Sequence, residues 1–144
     1  MKSGAYLMRT EGAAKSVVDG FLLVLVKGDY VQEARVIMNS GIEWQIRVYS
    51  GLDSMTRVIE QDYKVRAESG NEVIVRYNTN IDDNKYFYTD NGLEVLRRQK
   101  TDDVPEHNYY PGVSLAYVHS EEKNQRFTVS MTRPMCTYRL ICRC

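Results

Sequence analysis

The body of this 144-residue chain has no cysteine. Cys136, Cys142 and Cys144 all crowd into its last positions. No disulfide framework can therefore span the chain, and three thiols cannot all pair within it. A zinc site would need a fourth ligand at suitable spacing, and His107 and His119 lie far upstream. Net charge is equally absent, with 19 Lys+Arg against 19 Asp+Glu. That balance argues against nucleic acid as main partner, because phosphate contacts need a basic stripe and these charges are mixed. Long apolar runs are missing as well. The best, Phe21 to Val26, falls far short of the roughly 20 residues that cross a bilayer. Met1 to Arg9 lacks the apolar core of an export signal. Two readings stay open on that ground: a cytosolic protein, or a piece of a longer one whose signal lies elsewhere. No Asn-x-Ser/Thr sequon occurs, so glycosylation gives no evidence of compartment.

No window shows a sustained i, i+3, i+4, i+7 apolar stripe, which removes the basis for an amphipathic helix. Period-2 alternation is present instead. Ile42, Trp44, Ile46 and Val48 share one face, opposite Glu43, Gln45, Arg47 and Tyr49. The same pattern recurs in Glu72 to Tyr77, Val113 to Val118 and Arg126 to Met131. Successive strand side chains point to opposite faces, so each stretch reads as a strand with one wetter side. Met55 to Arg66 also alternates and is read as a strand. Phe21 to Val26 does not alternate; a short solid apolar run ending at Lys27-Gly28 fits a strand buried on both faces. Glycines punctuate these stretches, and the 11 tyrosines suit a pleated surface. The expected fold class is all-β, an antiparallel sandwich. A chain of this length buries roughly 70% of its unfolded surface, enough for one domain or part of one.

The stretch most open to a functional reading is NKYFYTDNGLEVLRRQK, from Asn84 to Lys100. Asn91-Gly92 suits a tight hairpin turn, since both residues tolerate positive φ. Thr89 and Asp90 can close such a turn through local hydrogen bonds. A hairpin between Tyr86–Tyr88 and Leu93–Leu96 is the structural reading. The functional one is that Tyr86, Tyr88 and Asp90 present rings and a carboxylate at a loop tip. That combination suits a sugar, whose C–H face stacks on a ring while its hydroxyls donate to a carboxylate. Arg97 and Arg98 read as a solvated strand end. In HNYYPG, His107 to Gly112, Pro111 forces Tyr110 out of the helical region, and Pro-Gly marks a bend. Glu106 and His107 are an acid/base pair on paper, but adjacent strand residues point opposite ways. No Gly-x-Ser-x-Gly, P-loop, dinucleotide fingerprint or His-Glu-x-x-His occurs. A glycosidase needs two carboxyls facing each other at roughly 5–9 Å, and 19 acidic residues make some pair inevitable by chance.

Several stretches resemble one family as a set. SGAYL (Ser3 to Leu7), NEVIVRYNTNI (Asn71 to Ile81), FYTDNG (Phe87 to Gly92), NYYP (Asn108 to Pro111) and LAYV (Leu115 to Val118) occur in its order and approximate spacing. NQRFTVSMTRP is similar to the strand that follows NYYP in that family. The family is glycoside hydrolase family 38, the class II α-mannosidases. The resemblance covers residues 3–133 and implies part of the C-terminal β region, a galactose-mutarotase-like supersandwich. It implies a parent enzyme that hydrolyses α-linked mannose in glycans, retaining and zinc-dependent. The zinc ligands and nucleophile belong to an N-terminal catalytic domain whose positions do not lie in this chain. Catalytic residues and metal ligands are therefore expected to be none here, with no cofactor in the chain and zinc in the parent. Tyr88, the tyrosine of FYTD, is the substrate-adjacent residue by match, with Asp90, Asn91 and Gly92 supporting its turn. The catalytic domain of the same parent and mannose-containing glycans are the implied partners, without nucleic acid or a membrane span. Lysosome or Golgi is the implied location.

Residues 134–144, PMCTYRLICRC from Pro134, depart from the family. They carry no strand pattern and are expected to be an unstructured divergent tail. A truncated gene model, a read-through or a short isoform would each produce it. The rival reading of the whole chain is a stand-alone carbohydrate-binding sandwich, with Tyr86, Tyr88 and the Tyr109–Tyr110 turn as its platform. A pure scaffold is a third. The rival expects a mannose affinity that is lost on Tyr88→Ala.

Overall fold

The computed structural model describes residues 13–51, 55, 57–66, 72–103 and 105–138. Among the described residues, regular structure consists of ten strands and one short 3-10 turn. All ladders are antiparallel, so the all-β antiparallel class expected of a sandwich is the class observed. Two compact units divide the chain, one over Ala13–Val75 and one holding Arg76–Cys144.

The first unit is a meander of β1 (Phe21–Lys27), β2 (Val31–Met38), β3 (Glu43–Tyr49) and β4 (Ile59–Lys64). The alternation of β3 sets its two faces. Trp44 lies opposite Val36 and Tyr63, and Ile46 opposite Ala34, which gathers the apolar side chains on one face. The Trp44 and Tyr63 rings stack with centroids 5.8 Å apart. The other face is a lattice of charge. Glu33 accepts from Arg47 Nε at 2.9 Å and also from Arg35 and Gln45. Arg47 reaches on to Asp62 at 3.0 Å. The Arg47 guanidinium, then Arg35, holds the Glu33 carboxyl down at about 2. Gly28 in the first turn has a backbone reason: a Cβ there would meet the Val31 carbonyl oxygen at 2.9 Å.

Three sequence expectations change in this half. The solid apolar run Phe21 to Val26 is not buried on both faces. It forms an edge strand whose side chains are exposed on either side, Leu25 by 62%. An edge strand has a single ladder neighbour, and its composition asks for cover that β2 does not supply. The alternating stretch Glu72 to Tyr77 is not a strand either, since residues 72–83 run with no ladder. Alternation supplies a two-faced strand but not the partner that closes its hydrogen bonds. The Met55 to Arg66 strand is realised only as β4.

The second unit holds a four-stranded sheet in the order β6-β5-β8-β9, from β5 (Tyr86–Asp90), β6 (Val95–Gln99), β8 (Leu115–Ser120) and β9 (Gln125–Ser130). The 3-10 turn Pro105–Asn108 leads into β7 (Tyr109–Gly112), which pairs with β10 (Met135–Tyr138). Residues 135–138 of the tail expected to lack structure thus lie in a strand, in register with the NYYP segment. Cys142 and Cys144 lie outside the described residues.

Candidate functional site

Every candidate residue lies on or beside β5. Alternation turns Tyr86, Tyr88 and Asp90 to one face and Phe87 and Thr89 to the other. The second face is the packed one. Phe87 is 4% exposed and Thr89 fully buried. Phe87 meets Tyr110 edge-on, with centroids 5.5 Å apart. Arg98 donates from Nε to the Thr89 hydroxyl at 3.2 Å, and its guanidinium lies 4.6 Å over the Tyr110 ring. Arg98 is thus half-buried and structural, where the sequence suggested a solvated strand end for both arginines.

The opposite face carries the half-buried tyrosines. Tyr88 stands in register with Tyr117 across β5 and β8. Their rings stack with centroids 4.4 Å apart and planes 7° from parallel. Arg126 on β9 lies 4.5 Å over the Tyr117 ring, and Arg97 on β6 lies 4.6 Å over Tyr86. The result is a row of π faces and cations, with each cation–ring contact electrostatically favourable. The Tyr88 hydroxyl has no hydrogen-bond partner among the described residues. Tyr110 packs behind the sheet against Phe87 and Arg98, so it shares no platform with Tyr86 and Tyr88. Their proposed joint surface is split between two faces, which sequence spacing could not show.

Asp90 joins the site to its neighbours. Its Oδ1 accepts from the backbone N–H groups of Val113, Ser114 and Leu115 at 3.0, 2.8 and 3.0 Å. Its Oδ2 accepts from the Ser114 hydroxyl at 2.8 Å and from Gly92 N at 3.3 Å. Asp90 therefore ties the end of β5 to the loop before β8, beyond its own hairpin. The N–H groups of Leu115 and Ser114, then the Ser114 hydroxyl and Val113 N–H, hold its carboxyl well below the usual range. With five donors satisfied, this carboxylate is committed to structure.

Asn91 and Gly92 build a longer hairpin than a two-residue turn. Asp90 pairs with Val95, and Asn91 N donates to the Glu94 carbonyl at 3.1 Å. The Asn91 side chain accepts from Leu93 N and Glu94 N. Gly92 takes a φ of 88°, while Asn91 keeps a negative one. Local side-chain acceptance thus replaces the second left-handed residue.

Sequence pattern assigns no role to Asn108. It is 2% exposed, accepts from Thr101 N at 2.9 Å and donates to the Thr101 carbonyl at 3.0 Å. One amide side chain so pins the loop after β6 to the start of NYYP. A polar side chain next to two tyrosines and a proline was the available signal. His107 Nδ1 lies 2.9 Å from Asp103, exposed. Among the described residues no three His, Cys, Asp or Glu side chains are placed to share a metal. The described residues therefore do not fit a zinc site.

The model for the glycosyl hydrolases family 38 C-terminal domain matches residues 1–135. The chain belongs to that family. It is 36% identical over 144 residues to an alpha-mannosidase 2 of Arabidopsis thaliana, covering 89% of this chain and 12% of that protein. An alpha-mannosidase 2 of Drosophila melanogaster is 29% identical over 136 residues, 93% of this chain and 12% of the relative. An alpha-mannosidase 2x of Mus musculus is 28% identical over 128 residues, with 85% and 11% covered. The chain spans about an eighth of the length of these relatives. In this family 38 chain FYTD lies in β5, an inner strand of its sheet, and NYYP in the turn and strand that pack behind it.

Proposed function

We propose that this chain is a non-catalytic part of a zinc-dependent, retaining α-mannosidase that hydrolyses α-linked mannose in glycans. The observation that carries the reading is the Tyr88 phenol, half-buried, held by stacking and without a hydrogen-bond partner among the described residues, on a chain of the family 38 C-terminal domain. A hydroxyl fixed in this way can donate to or accept from a sugar hydroxyl without first giving up another bond. Its part is to orient the sugar ring, a gain in positioning rather than proton transfer. Asp90, Asn91 and Gly92 hold the strand end from which Tyr88 projects. Zinc and the nucleophile belong to the catalytic domain of the parent, and the parent works in the Golgi or lysosome. The names of the relatives support a mannosidase.

The test uses two proteins. The purified chain, assayed on an aryl α-mannoside with and without added zinc, shows no hydrolysis. A chimera in which the chain replaces the matching segment of the Arabidopsis thaliana alpha-mannosidase 2 hydrolyses it. Zinc-dependent hydrolysis by the chain alone, or an inactive folded chimera, overturns the proposal.

A further inference from the structure

Beside the edge strand β9 runs an open groove of about 600 Å³. Its size lies in the range of ligand sites, about 300–1,000 Å³. One wall is the unladdered segment 78–81; the other is the end of the β8–β9 turn and the start of β9. Asn78, Asn80, Asn124 and Gln125 line it, with Arg126 and Phe127. Among the described residues no carboxylate does, which removes the usual donors for a divalent cation. The four amides make no side-chain hydrogen bond to another described residue. Asn124 holds a left-handed φ of 47° at the mouth of the turn. Phe127 is 37% exposed and braced by Tyr77, centroids 5.5 Å apart.

The chemistry of that lining is specific. Each amide offers two N–H donors and a carbonyl acceptor. A cluster of them matches a ligand whose neighbouring hydroxyls both donate and accept. A partly exposed ring beside them matches an apolar C–H face. A single arginine gives too little charge for a polyanion. Neutral pyranoses have these properties together.

We infer that this groove is a second carbohydrate subsite, taking a neutral pyranose of a glycan through Asn78, Asn80, Asn124 and Gln125, with Phe127 under the ring. Arg126 links it to the tyrosine face, since it lines the groove and lies over Tyr117, which stacks on Tyr88. A glycan could then be held at two points by one chain. The choice of a sugar from a mannosyl glycan rests on the α-mannosidase reading; the groove and its donors do not.

Saturation-transfer difference NMR on the full chain, with α-linked mannobiose as the probe, tests this. The account expects transfer to the sugar ring protons, and a loss of affinity of about tenfold or more in Asn80→Ala/Gln125→Ala. Asn80→Asp/Gln125→Glu, which keeps the volume and removes the amide donors, gives the same loss. Absence of transfer to the unaltered chain, or undiminished transfer in either groove variant with an unchanged circular dichroism melt, overturns the inference. An inactive chimera would refute the mannosidase reading and leave these outcomes as they are.

Discussion

Tyr88 and Tyr117 stack face to face across the β5–β8 ladder, 4.4 Å between centroids and 7° from parallel. Tyr117 in turn lies beneath the Arg126 guanidinium at 4.5 Å. The pose of the Tyr88 phenol is thus set by a neighbour from a different strand. In the chimera, Tyr117→Phe keeps the ring and should leave kcat/KM within about twofold, whereas Tyr117→Ala should lower it by about tenfold or more. Steady-state kinetics with a parallel thermal melt checks this. Equal kinetics for the Phe and Ala variants would show that the stack does not position Tyr88.

Asp90 gives a pH signature. Its folded-state pKa is depressed, so its contribution to stability is complete above the unfolded value of roughly 3.9 and declines as pH falls from there toward the folded value. Asp90→Asn should therefore lower the melting temperature at neutral pH, with a gap to the unaltered chain that narrows on acidification below about pH 4. Melting curves across that range check it. A gap that stays constant would mean that the charge contributes nothing.

The packed face behind β5 makes a stability prediction. Thr89→Val fills the same space and leaves Arg98 Nε without its acceptor, a loss of about 1.5–3 kcal/mol. Phe87→Ala opens a cavity against Tyr110 and should cost about 3–5 kcal/mol. Urea unfolding midpoints at constant m-value report both.

The Ala13–Val75 unit presents apolar side chains to solvent, among them Phe21 at 57%, Leu22 at 60% and Ile59 at 60% exposure. Edge strand β1 also offers unpaired backbone groups. Made alone, the chain should bind a hydrophobic dye and associate with rising concentration. Leu22→Lys/Leu25→Lys should suppress the association without lowering the melting temperature. Light scattering over a dilution series checks it, and a monomer at every concentration would contradict it.

Alternation made most of the strands legible, because a period of two is written in single residues such as Trp44, Ile46 and Val48. Ladder partners were not, and the segment 72–83 shows why: the pattern of Val73, Val75 and Tyr77 says nothing about who sits beside it. The faces of β5 follow from parity alone, so Tyr86 and Tyr88 were placed together correctly. Parity cannot say that Tyr110 returns behind the same strand. Sequence spacing makes Asp90 local to its hairpin, since Asn91-Gly92 follows it directly. Its main donors, Val113 to Leu115, arrive from a loop more than twenty residues on, and no local pattern encodes that. Asn108 was missed for the same reason.

The most direct test of the account is the ratio of kcat/KM between the chimera and its Tyr88→Phe variant on an aryl α-mannoside. Removing only the phenol oxygen leaves the stack on Tyr117 intact. An active chimera whose kcat/KM falls by about tenfold or more, with the melting temperature unchanged, is the expected result. Equal kcat/KM for the two proteins would contradict it.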